Sequence, residues 1–221
     1  MDQAKAITVE TDRGPVGALW AWPPGARAAV VVAHGAGGDM TGGLLEGFSA
    51  CLYEATFGTL RFNFPYAEQG RKSPDAAGVL IRAYRAAFEL TRTLAQEKPV
   101  FVGGKSLGGR MASMAVAEGL RADGLVFLGY PLHPPGKPDR LRDEHLYGIR
   151  EPMLFLQGTE DPFARFDLIE QLVERLGRWA VLHPVEGGDH SFRVKGRRRD
   201  DVETGRLLGS VAARFIQGAR I

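Results

Sequence analysis

Short apolar runs alternate along the chain with longer segments in which apolar residues recur at helical spacing. The run Ala28–Ala33 (AAVVVA) has no polar position, which is typical of a strand buried on both faces of a sheet. Further strands are predicted at Thr59–Phe64, Pro99–Val102, Leu125–Leu128, Met153–Leu156 and Trp179–Leu182. Before them, an antiparallel hairpin is predicted from strands Ala6–Glu10 and Val16–Trp22 about a turn at Asp12–Pro15.

The amphipathic segments predict helices between these strands. The longest begins at Ser73-Pro74-Asp75, where Ser73 can cap the helix and Pro74 suits its first turn. Its buried stripe consists of Val79, Ala83, Ala86, Leu90 and Leu94. Other helices are predicted over Leu44–Ala55, Arg110–Glu118, Phe166–Leu176 (ending at Gly177) and Val202–Phe215.

The order of these elements is a hairpin followed by β-α-β-α-β-α-β-β-α-β-α. This alternation predicts an α/β fold with a mostly parallel central sheet and helices on both faces. No long linker, compositional break or internal repeat interrupts it, so we expect a single domain over residues 1–221. Functional sites in such sheets gather at the carboxyl ends of the strands.

Composition adds few constraints. The chain has 221 residues, of which 44% are apolar and 24% charged, as in ordinary globular proteins. The net charge of +2 does not favour a nucleic-acid partner. Its basic run Lys195–Arg199 is followed by Asp200, Asp201 and Glu203, so we interpret it as a solvated loop before a helix with an acidic first turn.

Cellular location is predicted from what the sequence lacks. The single cysteine, Cys51, cannot form an intramolecular disulfide, and the first residues carry no signal-peptide core. The apolar runs are too short to span a bilayer. We therefore expect a cytoplasmic protein without a membrane partner.

One motif carries candidate chemistry. Gly104-Lys105-Ser106-Leu107-Gly108 matches G-x-S-x-G and stands between a predicted strand and a predicted helix. A sharp strand-to-helix turn of this kind pushes the serine out over the sheet, and small residues let neighbouring segments approach it. A phosphate-binding P-loop would need glycine where Pro99 stands, so that alternative fails. The other alternative is a tight glycine-rich turn that has no catalytic role.

A serine hydroxyl needs a base to act as a nucleophile, and the base needs an orienting acid. Asp161 lies in a turn directly after one predicted strand, and His190 lies in the segment after the next. The order serine, acid, histidine is the one in which G-x-S-x-G hydrolases carry their triads. We therefore predict Ser106, His190 and Asp161 as nucleophile, base and acid.

Other residues compete for these roles. Glu160 neighbours Asp161 and is the alternative acid, although the Asp-Pro pair favours Asp161. Asp189 precedes His190 directly, and we interpret it as a structural residue of the loop. The alternative bases are His183, which we expect to be packed or partly exposed at a strand end, and His133 and His145, which we expect at the surface.

An oxyanion would need two backbone N–H donors. We assign one to Leu107, the residue after the nucleophile, and the other to Ala36, with Gly35 as the next choice. His34 is predicted to hold this glycine-rich loop by hydrogen bonds. The segment Phe64-Pro65-Tyr66 either walls a pocket or only packs.

Four segments together resemble a known family. They are HGAGG at 34–38, GGKSLGGR at 103–110, GTEDP at 158–162 and GGDHSF at 187–192. They resemble the α/β-hydrolase superfamily, and within it the small dienelactone-hydrolase-like proteins. The resemblance implies that Ser106 is the nucleophile, Asp161 the acid and His190 the base. Dienelactone hydrolase itself uses a cysteine nucleophile, so its substrate is not implied here.

The sequence therefore predicts a serine hydrolase that cleaves a carboxylic ester, or a related thioester or lactone, through an acyl-enzyme. Its substrate is a small molecule, and it needs no metal or organic cofactor. The segment Gly129–Glu151 is too short for a cap domain, so we expect a minimal lid or none. The resembled group also includes eukaryotic relatives found in chromatin-associated complexes, so the alternative is a non-catalytic scaffold that binds a partner protein. Such members tend to lose the triad, whereas this sequence keeps it. Perhydrolysis and acyl transfer use the same triad, so the sequence does not separate these reactions from hydrolysis.

Overall fold

The computed structural model describes residues 4–219, which build an eight-stranded sheet with helices on both faces. The strands are β1 Lys5–Thr11, β2 Gly14–Ala21, β3 Ala29–Ala33, β4 Gly58–Phe62, β5 Val100–Lys105, β6 Leu125–Leu128, β7 Met153–Gly158 and β8 Ala180–Val185. The helices are α1 Gly43–Glu54, α2 Pro65–Glu68, α3 Ala77–Leu94, α4 Leu107–Ala117, α5 Phe166–Leu176 and α6 Asp201–Gly218.

The strand order is β1-β2-β4-β3-β5-β6-β7-β8. The first two pairings, β1 with β2 and β2 with β4, are antiparallel, and all the others are parallel. The predicted fold class, a mostly parallel sheet preceded by a hairpin, is confirmed. The chain goes from β3 to β4 on one side and then to β5 on the other, so the carboxyl ends of β3 and β5 flank a topological switch point.

The sheet separates two apolar layers. Helices α3, α4 and α5 pack on one face, and α1 and α6 pack on the other. The inner strands β3 to β7 are buried on both faces, as the unbroken apolar run of β3 predicts. These layers hold the carboxyl ends of β3, β5 and β7 in fixed positions.

The predicted start of the longest helix is wrong. Helix α3 begins at Ala77, with Ala76 at its cap position and no side-chain cap. Ser73 and Pro74 lie in the preceding loop. Within this loop the Asp75 carboxylate accepts a hydrogen bond from Arg71 at 2.7 Å, a local contact that the capping pattern does not predict.

The segment between β6 and β7 forms no cap domain. Its one helical stretch is a short 3₁₀ helix at Glu144–Gly148, and Tyr130, Leu132, Leu146 and Ile149 are buried against the body of the protein. This confirms the expected fold with a minimal lid or none. Within residues 4–219, no helix combines the length and the apolar composition needed to cross a membrane.

The contact between α1 and α6 depends on glycine and can be tested. A Cβ atom on Gly205 of α6 would lie 2.1 Å from the Leu44 carbonyl oxygen. We predict that Gly205→Ala lowers the free energy of unfolding by about 1–3 kcal/mol, because the helices must move apart. Urea denaturation measures this change.

Gly218 in the same helix is the control, since a Cβ atom there has nothing within 4 Å. Gly218→Ala should leave stability unchanged or raise it slightly, because alanine favours helix. Equal effects of the two substitutions would contradict the packing argument.

Candidate active site

The turn after β5 presents Ser106 at the switch point. Its backbone has φ 49° and ψ −111°, a conformation that non-glycine residues rarely adopt. The Ser106 N–H donates to the Leu128 carbonyl at 3.1 Å, which ties the turn to β6. Ser106 stands at the cap position of α4, but its side chain does not cap the helix. Its hydroxyl is therefore free for another partner.

The glycines on either side of Ser106 allow close contact with β3. A Cβ atom on Gly104 or on Gly108 would lie 2.3 Å from the Ala33 carbonyl oxygen. Gly104 also has φ +151°, which disfavours any side chain. The end of β3 and the turn at Ser106 can therefore approach each other only because both positions lack a side chain.

The structure brings Ser106, His190 and Asp161 into one line of hydrogen bonds. The Ser106 hydroxyl lies 2.8 Å from His190 Nε2, and His190 Nδ1 lies 2.7 Å from Asp161 Oδ2. A carboxylate can only accept, so Nδ1–H donates to Asp161 and leaves Nε2 of the neutral ring to accept from the serine. This arrangement suits the activation of a serine hydroxyl by a general base.

Asp161 is held by more than the histidine. Its side chain is fully buried and also accepts hydrogen bonds from Gln157 Nε2 at 2.7 Å and from the Phe163 N–H at 2.8 Å. Gln157 Oε1 in turn accepts from the Tyr130 N–H at 2.8 Å. Sequence reasoning missed Gln157, although a single polar residue in the apolar strand β7 was a signal for it.

Phe163 packs on the imidazole, and His133 holds the loop that carries Phe163. The Phe163 ring stacks on the His190 ring with 4.2 Å between centroids. The His133 N–H donates to the Phe163 carbonyl at 2.9 Å, and His133 Nε2 accepts from the Arg165 N–H at 2.9 Å. His133 is buried, so its expected surface position is wrong. It braces the loop that carries Asp161.

The remaining candidates for acid and base lie elsewhere or have structural partners. Glu160 is exposed, whereas Asp189 accepts hydrogen bonds from the N–H groups of Ser191 and Arg193 within its own loop. His145 Nε2 lies 2.8 Å from the Ser113 hydroxyl, and burial, with the nearby Arg110 charge, lowers the pKa of His145 to about 4. His183 is half-buried in β8.

The two predicted oxyanion donors belong to segments that adjoin Ser106. Leu107 is the first residue of α4, and N–H groups in a first helical turn have no acceptor within the helix. Ala36 is a central residue of a turn that the Gly38 N–H closes on the Gly35 carbonyl at 3.2 Å. A Cβ atom on Gly35 would lie 3.6 Å from the Ser106 Cβ, so this turn directly adjoins the serine.

His34 anchors the turn that carries Ala36. Its Nδ1–H donates to the Gly35 carbonyl at 2.8 Å, and its Nε2 accepts from the Phe64 N–H at 3.0 Å. Burial lowers the pKa of His34, so the ring stays neutral and keeps both bonds. Phe64 and Tyr66 are fully buried and pack edge-on against His34. Of the two predicted roles, they therefore pack and do not wall a pocket.

A cavity of about 200 Å³ lies beside this turn. It is bounded by the Ala36 turn, by the first residues of α1 and α6, and by Lys105 and Ser191, the neighbours of Ser106 and His190. A group bound there would lie beside Lys105 and Ser191, which directly adjoin Ser106 and His190 in the sequence.

Comparison with known proteins agrees with this architecture. A family model described as "Alpha/beta hydrolase domain" matches residues 26–218. A dienelactone hydrolase from Anabaena variabilis superposes with a TM-score of 0.77 at 21% identity over 98% of each chain. An α/β serine hydrolase without a lid from Xanthomonas campestris gives 0.75 at 20% identity, over 97% of this chain and 96% of that one.

An esterase domain from a Rhodothermus marinus protein gives a TM-score of 0.71 at 19% identity, over 96% of this chain and 98% of that one. At such identities these likenesses show a shared fold.

Gln157 offers a test of the Asp161 environment. We predict that Gln157→Leu lowers the free energy of unfolding by about 1–3 kcal/mol, because the buried Tyr130 N–H and the Asp161 carboxylate each lose a hydrogen-bond partner. Urea denaturation measures the loss. Gln171→Leu, at an exposed position of α5, is the control and should stay within about 0.5 kcal/mol of the parent. Equal stability of the two variants would contradict the assignment.

Proposed function

The chain belongs to the α/β hydrolase domain family, and from this premise we propose that it is a serine hydrolase. We propose that it cleaves a carboxylic ester, or a related thioester or lactone, of a small molecule through an acyl-enzyme. The observation that carries the proposal is the line of hydrogen bonds from Ser106 through His190 to the buried Asp161. The proposal takes residues 1–221 as one domain.

In the first half of the reaction, His190 Nε2 takes the hydroxyl proton while Ser106 Oγ forms a bond to the substrate carbonyl carbon. The carbonyl π electrons move onto its oxygen, and the N–H groups of Leu107 and Ala36 stabilise that oxyanion. Asp161 keeps the ring oriented and stabilises the imidazolium. The tetrahedral intermediate then collapses, and the leaving alcohol takes the proton from His190.

In the second half, His190 removes a proton from water as the water oxygen attacks the acyl carbon. Collapse of this second intermediate returns the proton to Ser106 Oγ and frees the carboxylic acid. Every proton moves between His190 and a reacting oxygen, so the proposed cycle requires neither a metal nor an organic cofactor.

The nucleophile can be identified by covalent labelling. A fluorophosphonate probe should label the protein at Ser106, and the label should be absent from Ser106→Ala. Ser113→Ala is the control, since Ser113 also contacts a histidine but is buried, and this variant should label normally. Persistent labelling of Ser106→Ala would contradict the assignment. An unlabelled parent protein that turns over no ester would favour the scaffold hypothesis.

The acid can be identified by comparing two neighbouring carboxylates. Asp161→Asn should lower kcat by about 10⁴-fold, because the amide stabilises the wrong histidine tautomer. Glu160→Gln should change kcat by less than about twofold, because Glu160 is exposed. Steady-state hydrolysis of p-nitrophenyl acetate measures both variants. A large loss in Glu160→Gln with little loss in Asp161→Asn would reverse the assignment.

A further inference from the structure

The residue before the nucleophile has a buried charge that the proposed cycle does not use. Lys105 Nζ is buried and, within residues 4–219, has no hydrogen-bond partner. The residue as a whole is only half-buried, so the ammonium is covered while another part of the residue is exposed. Lysine normally buries its stem and keeps its charged end in water. In Lys105 the charged end is the buried part of the side chain, which is the reverse of the usual arrangement.

The surroundings of the ammonium compensate its charge only in part. It lies 5.7 Å from the centre of the Phe192 ring, and a Cβ atom on Gly129 would lie 3.3 Å from it. Burial lowers the pKa of Lys105 to about 8, against the opposing influence of the Asp161 and Asp189 carboxylates. The amine therefore remains mostly protonated at pH 7. A buried cation without a hydrogen bond is costly unless a partner arrives.

Lys105 also lines the cavity beside the Ala36 turn, and the amino end of α1 lines the same cavity. Gly42, at the cap position of α1, provides no side-chain cap. The N–H groups of Gly43 and Leu44 precede the first hydrogen bonds of this helix, which are made by Leu45 and Glu46 to Gly42. The amino end of a helix carries a partial positive charge and favours anions.

Two carboxylates at the edge of the cavity have donors of their own. Asp39 accepts hydrogen bonds from the Thr41 N–H at 2.7 Å and hydroxyl at 2.6 Å. Asp201 lies 3.4 Å from Arg193 Nη2, and both carboxylates are exposed. Apart from these two carboxylates, the charged or dipolar groups at the cavity are the Lys105 ammonium and the amino end of α1, both of which favour an anion.

We propose that Lys105 and the amino end of α1 form a carboxylate-binding subsite for the acyl part of the substrate. The enzyme would then prefer short esters whose acyl chain ends in a carboxylate. The inference rests on the proposed function and names its substrate class. A cavity of about 200 Å³ is smaller than the pockets that take drug-sized ligands, and it suits a short chain.

The position of the Lys105 stem makes this contact feasible. A Cβ atom on Gly35 would lie 3.4 Å from Lys105 Cγ and 3.6 Å from the Ser106 Cβ, so the stem runs beside the turn that adjoins the nucleophile. In the proposed complex, rotation about the single bonds of the stem would bring the ammonium from its place beside Gly129 to the cavity, which Lys105 lines. The ion pair with the substrate would compensate the charge that is unpaired in the free protein.

The test compares two esters of equal acyl length, monoethyl glutarate and ethyl pentanoate, through the ratio of their kcat/KM values. The parent protein should prefer the glutarate ester. Lys105→Met, which keeps the stem without the charge, should lower the ratio at least about tenfold, whereas Lys105→Arg should retain most of it. Lys195→Met removes an exposed lysine and controls for overall charge.

A pH series on the parent protein tests the inference without a variant. Lysine is charged below its pKa, so the preference for glutarate should fall as the pH rises through about 8. Any pH effect on the catalytic steps that the two esters share cancels in the ratio. Arginine remains protonated in this range, so Lys105→Arg should keep a constant ratio.

A parent protein that prefers pentanoate, or a ratio unchanged by both Lys105→Met and pH, would overturn the subsite while leaving ester hydrolysis intact. If neither ester is hydrolysed and Ser106 takes no fluorophosphonate label, the proposed function fails and the subsite fails with it.

Discussion

The candidate site depends on the contact between the end of β3 and the turn that holds Ser106. This contact exists because Gly104 and Gly108 have no side chain to separate Ser106 from the Ala33 carbonyl. The same proximity places the turn around Ala36 against the serine. One backbone contact therefore positions both the proposed nucleophile and the proposed oxyanion donors. The strained backbone at Ser106 is tolerated because β3, β6 and α4 fix the chain on every side.

A second requirement of the site is that the buried Asp161 carboxylate faces the His190 imidazole. Asp161 has three donors, from Gln157, Phe163 and His190, and this number suits an ionised carboxylate in a buried place. His133 extends the arrangement into the segment between β6 and β7. The segment between β6 and β7 is therefore more than a reduced lid, because it supports the loop that carries Asp161.

The sequence predicted those features that depend on local pattern. Unbroken apolar runs marked the parallel strands, and the order of elements then placed Ser106, Asp161 and His190 at the same edge of the sheet. It failed at Ser73, which is a good capping residue but lies in a loop, close to an ion pair between Arg71 and Asp75. His133 was not predictable as part of the site, because the residues that it holds, Phe163 and Arg165, are distant from it in sequence. Gln157 left a signal as a polar residue in an apolar strand, but only the fold shows that it joins Asp161 to Tyr130.

Lys105 and Ser106 show how one strand end can serve two purposes. Ser106 leaves the sheet in a strained conformation that frees its hydroxyl, while the preceding side chain ends as a buried cation without a hydrogen bond. Folding alone gives no reason for a charge at this position, since an apolar side chain there would avoid the desolvation cost. A costly group beside a proposed nucleophile is what a site retains when the group's partner is the substrate. The charge of Lys105 is therefore better explained by what the cavity binds than by the stability of the fold.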